Sequence, residues 1–141
     1  MLKGISSVIS PELLKILMEM GHGDEIVISD GNFPGASTAK NLVRLDGHGV
    51  VEVLDAILKL MPLDSYVDCP VVLMKTQPQD NYIPEIWGEI KKTVEKYEPG
   101  KQIENIDRFD YYDRAKQAYA VVQTGETAVY ANVLLKKGVC K

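Results

Sequence analysis

The 141-residue sequence has only two cysteines and two histidines, which leaves few side chains for metal binding or covalent catalysis. The histidines form no HxH, HxxxH or HExxH pattern and the cysteines form no CxxC pair, so no zinc site is predicted. The sequence also lacks a phosphate-binding loop ending in Lys-Ser/Thr and a GxSxG nucleophile elbow. The common metal, nucleotide and serine-hydrolase chemistries are therefore not expected.

Long apolar runs and an excess of basic residues are absent as well. No segment approaches the roughly 20 apolar residues that span a bilayer, so no membrane association is predicted. The net charge is −4 and no stripe of Lys and Arg occurs, so nucleic acid is not an expected partner. Residues 1–7 lack the pattern of a secretory signal, and the two separated cysteines are expected to be reduced thiols in the cytoplasm.

Apolar residues instead alternate between helical and strand-like patterns. Ser10, Pro11 and Glu12 give the first helix an N-cap, an N1 proline and an acidic first turn, and Gly21 is suited to end it. The alternation predicts a single α/β domain over residues 1–141, with a mixed, largely parallel sheet. Helices are predicted at 11–20, 50–61, 85–98 and 109–117, and strands at 25–29, 71–74, 102–106, 118–123 and 132–135.

Two short segments early in the chain could support chemistry. His22 lies between two glycines just before a predicted strand, where a thin backbone lets a ligand approach the imidazole. Asp30 follows the same strand, at the end where open α/β sheets bind ligands. From composition alone the simpler interpretation is favoured: His22 is a surface loop residue and Asp30 caps a turn. His48 is interpreted as part of a helix-capping loop.

Polar residues late in the chain suit a neutral sugar. Arg108 follows a predicted strand, and Tyr130, Ala131 and Asn132 separate two apolar stretches. Arginine, tyrosine and asparagine supply the donors and acceptors that sugar hydroxyls need. The alternative is that Arg108 pairs with a surface carboxylate and Tyr130 fills core space. The sequence pattern favours neither interpretation over the other.

Taken in order, the motifs resemble the fucose mutarotase branch of the ribose pyranase/fucose mutarotase family. The resemblance covers almost the whole chain and is loosest between residues 75 and 101. It rests on ISPELLK (9–15), MGHGDEI (20–26), SD (29–30) with FP (33–34), RF (108–109), YDRA (112–115), TGE (124–126), YAN (130–132) and LLKKGV (134–139).

The resemblance implies a three-layer α/β/α domain that assembles into a decamer of two stacked pentamers. It implies an isomerase that interconverts the anomers of free L-fucose. By the same resemblance, His22 is the proton donor. Asp30, Arg108 and the segment Tyr130, Ala131 and Asn132 bind the sugar. Opening a hemiacetal needs only proton transfers, so no cofactor or metal is predicted.

Three questions stay open from the sequence. The family's fucose branch often has a histidine where this chain has Asn32. A D-ribose pyranase, or a non-catalytic sugar-binding ring protein that assists transport, would share many of the same motifs. Five strand residues at about 3.3 Å each separate His22 from Asp30 by about 16 Å. We therefore expect either that the glycine loop folds back or that the site lies at a subunit interface.

Overall fold

Helices and strands alternate along the chain in the computed structural model, which describes residues 1–141. The predicted α/β class is confirmed. None of the helices has both the length and the apolar character needed to cross a membrane. The helices are α1 (Pro11–Glu19), α2 (Gly35–Thr38), α3 (Val50–Leu58), α4 (Ile86–Tyr97) and α5 (Arg108–Gln117). The strands are β1 (Glu25–Ser29), β2 (Leu42–Leu45), β3 (Val71–Met74), β4 (Ile103–Ile106), β5 (Ala120–Thr124) and β6 (Val133–Lys136).

The predicted N-cap of α1 is confirmed, because Ser10 Oγ accepts the backbone N–H of Leu13 at 3.2 Å. The start of α4 lies slightly later than predicted. There the backbone N–H of Trp87 donates to the carbonyl of Pro84. A hydrogen bond between residues three positions apart forms a tighter turn than the α-helix that follows it. The element boundaries thus differ from the sequence pattern by only a few residues.

Two short elements, α2 and β2, are not predicted from the sequence. Each has four residues, too few to show a clear period. β2 lies at one side of the sheet and pairs only with β5, so half of its residues are exposed. Its strand conformation therefore depends on a partner almost 80 residues away, which no local pattern reveals.

Five of the six strands run in one direction, and β6 alone runs the opposite way. The order across the sheet is β2-β5-β1-β6-β3-β4. β6 pairs antiparallel with both β1 and β3, while β1–β5, β2–β5 and β3–β4 are parallel pairs. The predicted mixed, largely parallel sheet is confirmed. We call the end of the sheet where the five parallel strands finish and β6 begins the C-terminal end, and the opposite one the N-terminal end.

Helices cover both faces of this sheet. Ile26 and Ile28 of β1 face one side, where they pack in a core with α1, α3 and α4. Val27 faces the other side, where it packs with Tyr111 and Ala115 of α5. This arrangement is the predicted three-layer α/β/α fold, and it leaves both ends of the sheet open for loops that bear polar side chains.

Candidate active site

The C-terminal end of the sheet gathers most of the predicted site residues. Asp30 directly follows β1, Arg108 opens α5 after β4, and Asn132 directly precedes β6. Because β6 is antiparallel to β1 and Val133 pairs with Ile28, the start of β6 lies beside the end of β1. Residues about 100 positions apart in sequence are thereby neighbours.

Asp30 and Asn132 form a reciprocal pair at this end. The backbone N–H of Asp30 donates to Asn132 Oδ1 at 3.0 Å, and Asn132 Nδ2 donates to Asp30 Oδ2 at 3.2 Å. Asp30 Oδ1 also accepts the backbone N–H of Asn32 at 3.0 Å. Asp30 is 4% exposed, and this burial raises the pKa of its carboxyl, with the bonds from Asn32 and Asn132 partly opposing the shift. An ionised carboxylate only accepts hydrogen bonds, so a sugar hydroxyl that contacts Asp30 would donate to it.

Replacing Asp30 with asparagine is expected to change how stability depends on pH. The folded-state pKa of Asp30 lies above its ordinary value of 3.8, so the folded chain holds this proton more tightly than the unfolded chain does. The contribution of this carboxyl to the stability of the fold is therefore lost as the pH rises through its raised pKa. As the pH rises from about 4 through this raised pKa, the unfolding free energy of Asp30→Asn should rise relative to that of the original chain. Urea unfolding at several pH values measures this, and a pH-independent difference would contradict it.

Arg108 forms no ion pair with a carboxylate of the chain. Its guanidinium carbon lies 4.7 Å from the ring centroid of Phe109, and its Nε is buried without a protein partner. The interpretation of Arg108 as half of a surface ion pair is therefore wrong. Its donors remain available to a ligand at the C-terminal end of the sheet.

Tyr130 is held both at its side chain and at its backbone. Its hydroxyl donates to Asp80 Oδ2 and accepts the backbone N–H of Gln77 at 3.0 Å. Its carbonyl accepts the indole N–H of Trp87 at 2.9 Å. Tyr130 has φ of 59°, the only positive φ at a residue other than glycine. Such a conformation costs about 1–3 kcal/mol, so these contacts must stabilise it.

A cavity of about 390 Å³ opens between these residues, within the range of about 300–1,000 Å³ typical of small-ligand sites. A more polar depression of about 450 Å³ adjoins it and shares Gln77, Asp80 and Arg108. Ala131 does not line the cavity; its side chain is fully buried in the core beneath, so only its backbone could contact a sugar. The cavity is lined by Asp30, Asn32, Phe33, Met74, Gln77, Asp80, Tyr82, Arg108, Tyr112, Val129, Tyr130 and Asn132.

His22 lies away from this cavity, at the N-terminal end of the sheet. Its loop does not fold back, because the backbone N–H of Gly23 donates to the carbonyl of Lys137 at the end of β6. His22 Nε2 lies 3.0 Å from Asp64 Oδ1, and its ring packs against Tyr66 with centroids 5.3 Å apart. The imidazole is 45% exposed, so it faces outward from the subunit.

Asp64 is a residue of this arrangement that the sequence analysis did not identify. Its side chain is 4% exposed, and the backbone N–H of Tyr66 and the imidazole of His22 lower its pKa. A buried carboxylate on one ring nitrogen fixes the orientation of the imidazole. No spacing in the sequence links Asp64 to His22, 42 residues earlier.

Gln77, Asp80 and Trp87 were also missed, although one signal could have found the first two. Both follow β3 at its C-terminal end, which is the rule that identified Asp30 after β1. The resemblance to the family is loosest between Lys75 and Lys101, so it indicates no site residue in this segment. Trp87 lies on α4, and its hydrogen bond to the carbonyl of Tyr130 forms only because the fold brings these two distant residues together.

Known proteins similar to this chain cover it almost completely. The model of the RbsD / FucU transport protein family matches residues 3–140. An L-fucose mutarotase of Actinobacillus pleuropneumoniae serotype 5b (strain L20) is 47% identical over 140 residues, 99% of this chain and 97% of that protein. The similarity therefore includes the cavity, the His22 loop and the segments between them.

Two solved structures have the same fold but differ in how similar they are to this chain. The fucose mutarotase of Streptococcus pneumoniae, in complex with L-fucose, has a TM-score of 0.95 and 52% identity, over 99% of this chain and 100% of that one. RbsD of Bacillus subtilis, complexed with D-ribose, has a TM-score of 0.71 and 25% identity, over 100% of both chains. The fucose-bound protein is thus much more similar to this chain than the ribose-bound one.

Proposed function

Because this chain belongs to the RbsD / FucU transport protein family, as its motifs predict, we propose that it is an L-fucose mutarotase. It is an isomerase that interconverts the α and β anomers of the free sugar. The similarity to a named L-fucose mutarotase and to a fucose-bound structure supports L-fucose over D-ribose as the substrate.

The convergence of Asp30, Arg108 and Asn132 on one small cavity is the observation that supports this function. A neutral sugar presents hydroxyls that both donate and accept hydrogen bonds. The carboxylate of Asp30 accepts, the guanidinium of Arg108 donates, and the amide of Asn132 orients Asp30. Phe33 and Tyr112 add aromatic surface to the same wall, which suits the apolar face of a pyranose.

The reaction itself needs a proton on the ring oxygen and loss of one from the anomeric hydroxyl. The C1–ring oxygen bond then breaks to give the open aldehyde, and closure on the other face forms the second anomer. His22 is proposed as the group that protonates the ring oxygen. With Nε2 held by Asp64, Nδ1 is the nitrogen that exchanges the proton. A positioned acid of this kind contributes about 10²–10⁴-fold.

His22 acts on the sugar of a neighbouring subunit in this proposal. The cavity and His22 lie at opposite ends of β1, whose five residues span about 16 Å. The imidazole faces outward and cannot reach the cavity of its own chain. A head-to-tail contact between identical subunits, which closes into a ring, brings one subunit's His22 to the next subunit's cavity.

The rim of the cavity is suited to such a contact. Val129 and Tyr82 line the cavity, Ile83 adjoins Tyr82, and Phe109 lies beside Arg108; all four side chains are about half exposed or more. Apolar residues clustered around a polar cavity are typical of an interface that excludes water. We propose the decamer of two stacked pentamers that the family resemblance implies as the assembly that covers them.

A cytoplasmic location is part of the same proposal. Cys69 and Cys140 are both free thiols in the structure, which suits a reducing compartment. Free L-fucose that has entered the cell would be the substrate there.

Saturation-transfer NMR with L-fucose and D-ribose tests the function directly. The H1 resonance of one anomer is saturated. This saturation is transferred to the H1 resonance of the other anomer only if the two anomers exchange during the measurement. We expect this chain to accelerate exchange of L-fucose at least about fivefold more than exchange between ring forms of D-ribose, since a hydrogen-bonding mismatch costs about 1–3 kcal/mol. Faster exchange of ribose would identify a pyranase, and sugar binding without faster exchange would identify a non-catalytic binding protein.

A further inference from the structure

The hydrogen bonds of the Tyr130 hydroxyl leave one defined position free. A phenol has one hydrogen to donate and two lone pairs that accept. The hydrogen is committed to Asp80, and one lone pair accepts the N–H of Gln77. Only the second lone pair remains, and Tyr130 lines the sugar cavity. Tyr130 can therefore accept a hydrogen bond from a sugar hydroxyl, and it cannot donate one without giving up Asp80.

We propose that Asp80 and Tyr130 form the second proton-transfer path of the reaction, with Tyr130 as the relay and Asp80 as the final acceptor. This proposal rests on the proposed mutarotase function. The anomeric hydroxyl donates its proton to Tyr130 Oη while the phenolic proton moves to Asp80 Oδ2. The C1–ring oxygen bond breaks, and its electron pair takes the proton supplied by His22. Ring closure on either face runs the same transfers in reverse, so no net proton is gained or lost.

The phenol is suited to pass a proton on rather than to hold the charge itself. Burial and the hydrogen bond to Asp80 raise the pKa of Tyr130, so the phenolate is not the resting form near neutral pH. The carboxylate beyond it can take up the phenolic proton and lies within direct hydrogen-bonding contact. A concerted shift along this pair moves a proton from the sugar to Asp80 without forming a free phenolate.

Asp80 shares its surroundings with two basic side chains. Arg108 shares both the cavity and the adjoining depression with Asp80, and Lys75 lines that depression. The other charged or titratable side chains that line the cavity or the depression are Asp30, Tyr82, Asp107, Tyr112 and Tyr130 itself. Asp80 itself is partly exposed, so water can also restore its protonation state.

The backbone at Tyr130 gives independent support for a functional role. Its φ of 59° is unfavourable for a residue with a side chain, and Trp87 on α4 holds its carbonyl. Backbone strain of this kind clusters at active sites, where the surroundings fix one geometry. If Tyr130 served only to fill space, an ordinary conformation would do so without that strain.

Three variants test the relay: Asp80→Asn, Tyr130→Phe and the double variant. In Asp80→Asn the amide oxygen still accepts the phenolic hydrogen bond, so the fold is retained, but the amide cannot take up a proton. We expect this variant to slow α/β exchange of L-fucose about 10²-fold. Its dissociation constant for fucose should stay within about threefold of the original, since the sugar contacts are unchanged. The double variant should be no slower than the slower single variant, because both changes interrupt one path.

The original chain and Asp113→Asn, an exposed aspartate on α5 outside both cavities, serve as references. If the original chain does not accelerate exchange, the mutarotase function itself fails. If it does and Asp80→Asn stays within about threefold of it, or loses rate only through weaker binding, the relay is wrong. Asp80→Ala adds a further readout: added formate should restore its exchange rate, and no restoration would contradict a proton-accepting role.

Discussion

Replacing His22 with glutamine is expected to slow the exchange of L-fucose anomers by about 10²–10⁴-fold, measured by saturation-transfer NMR. Glutamine is chosen because its amide nitrogen can occupy the position of Nε2 and still donate to Asp64. The buried carboxylate therefore keeps its partner, and the variant should fold and assemble normally. What is lost is the imidazole, which can both donate and accept a proton, whereas an amide cannot.

His48→Gln is the matched control for this prediction. His48 is the only other histidine, and it bonds to Glu52 at the start of α3, as expected for a capping loop. Its replacement should leave the exchange rate unchanged. A His22→Gln variant that keeps more than about half of the original rate would show that another group protonates the ring oxygen.

Mixing two inactive variants is expected to restore activity if His22 acts across a subunit boundary. One variant, His22→Gln, retains an intact cavity, and the other, Asp30→Asn, retains the imidazole. An active site in a mixed ring needs a cavity from the first kind of subunit and His22 from the second. Random assembly from equal amounts gives this combination at about a quarter of the interfaces, so about a quarter of the original rate should return.

The two variants must be unfolded and refolded together, or co-expressed, so that subunits intermix. Each variant treated alone is the control and should stay inactive. Sedimentation or gel filtration checks that the mixed assembly has the size of the original. If mixed rings of the correct size show no more activity than the separate variants, His22 and the cavity belong to the same subunit or His22 is not involved.

The fold was largely predictable because its main elements have strong local patterns. β1 and β3 are continuous apolar runs that are buried on both faces, and their predicted bounds agree with the structure. The N-cap at Ser10 likewise follows from three adjacent residues. β2 could not be predicted in this way, because its conformation is set by pairing with β5 and not by its own four residues.

The site was predictable only in part, for a related reason. Asp30 and Arg108 each follow a strand, so their place at the C-terminal end of the sheet follows from the α/β pattern. Their arrangement with Asn132 depends on β6 entering the sheet between β1 and β3, which the sequence does not reveal. The partners of His22 and Tyr130 are further examples, because Asp64 and Asp80 lie 42 and 50 residues away from them.

The position of β6 also has a consequence for how the protein forms during translation. β6 is the last of the six strands to be synthesised, yet it lies in the middle of the sheet and joins β2-β5-β1 to β3-β4. Until β6 emerges from the ribosome, no strand connects β2-β5-β1 to β3-β4. Each of these two parts then has an edge strand whose backbone groups are unpaired. The same late segment brings Tyr130 and Asn132, so a nascent chain acquires its sugar cavity at the step that completes its sheet.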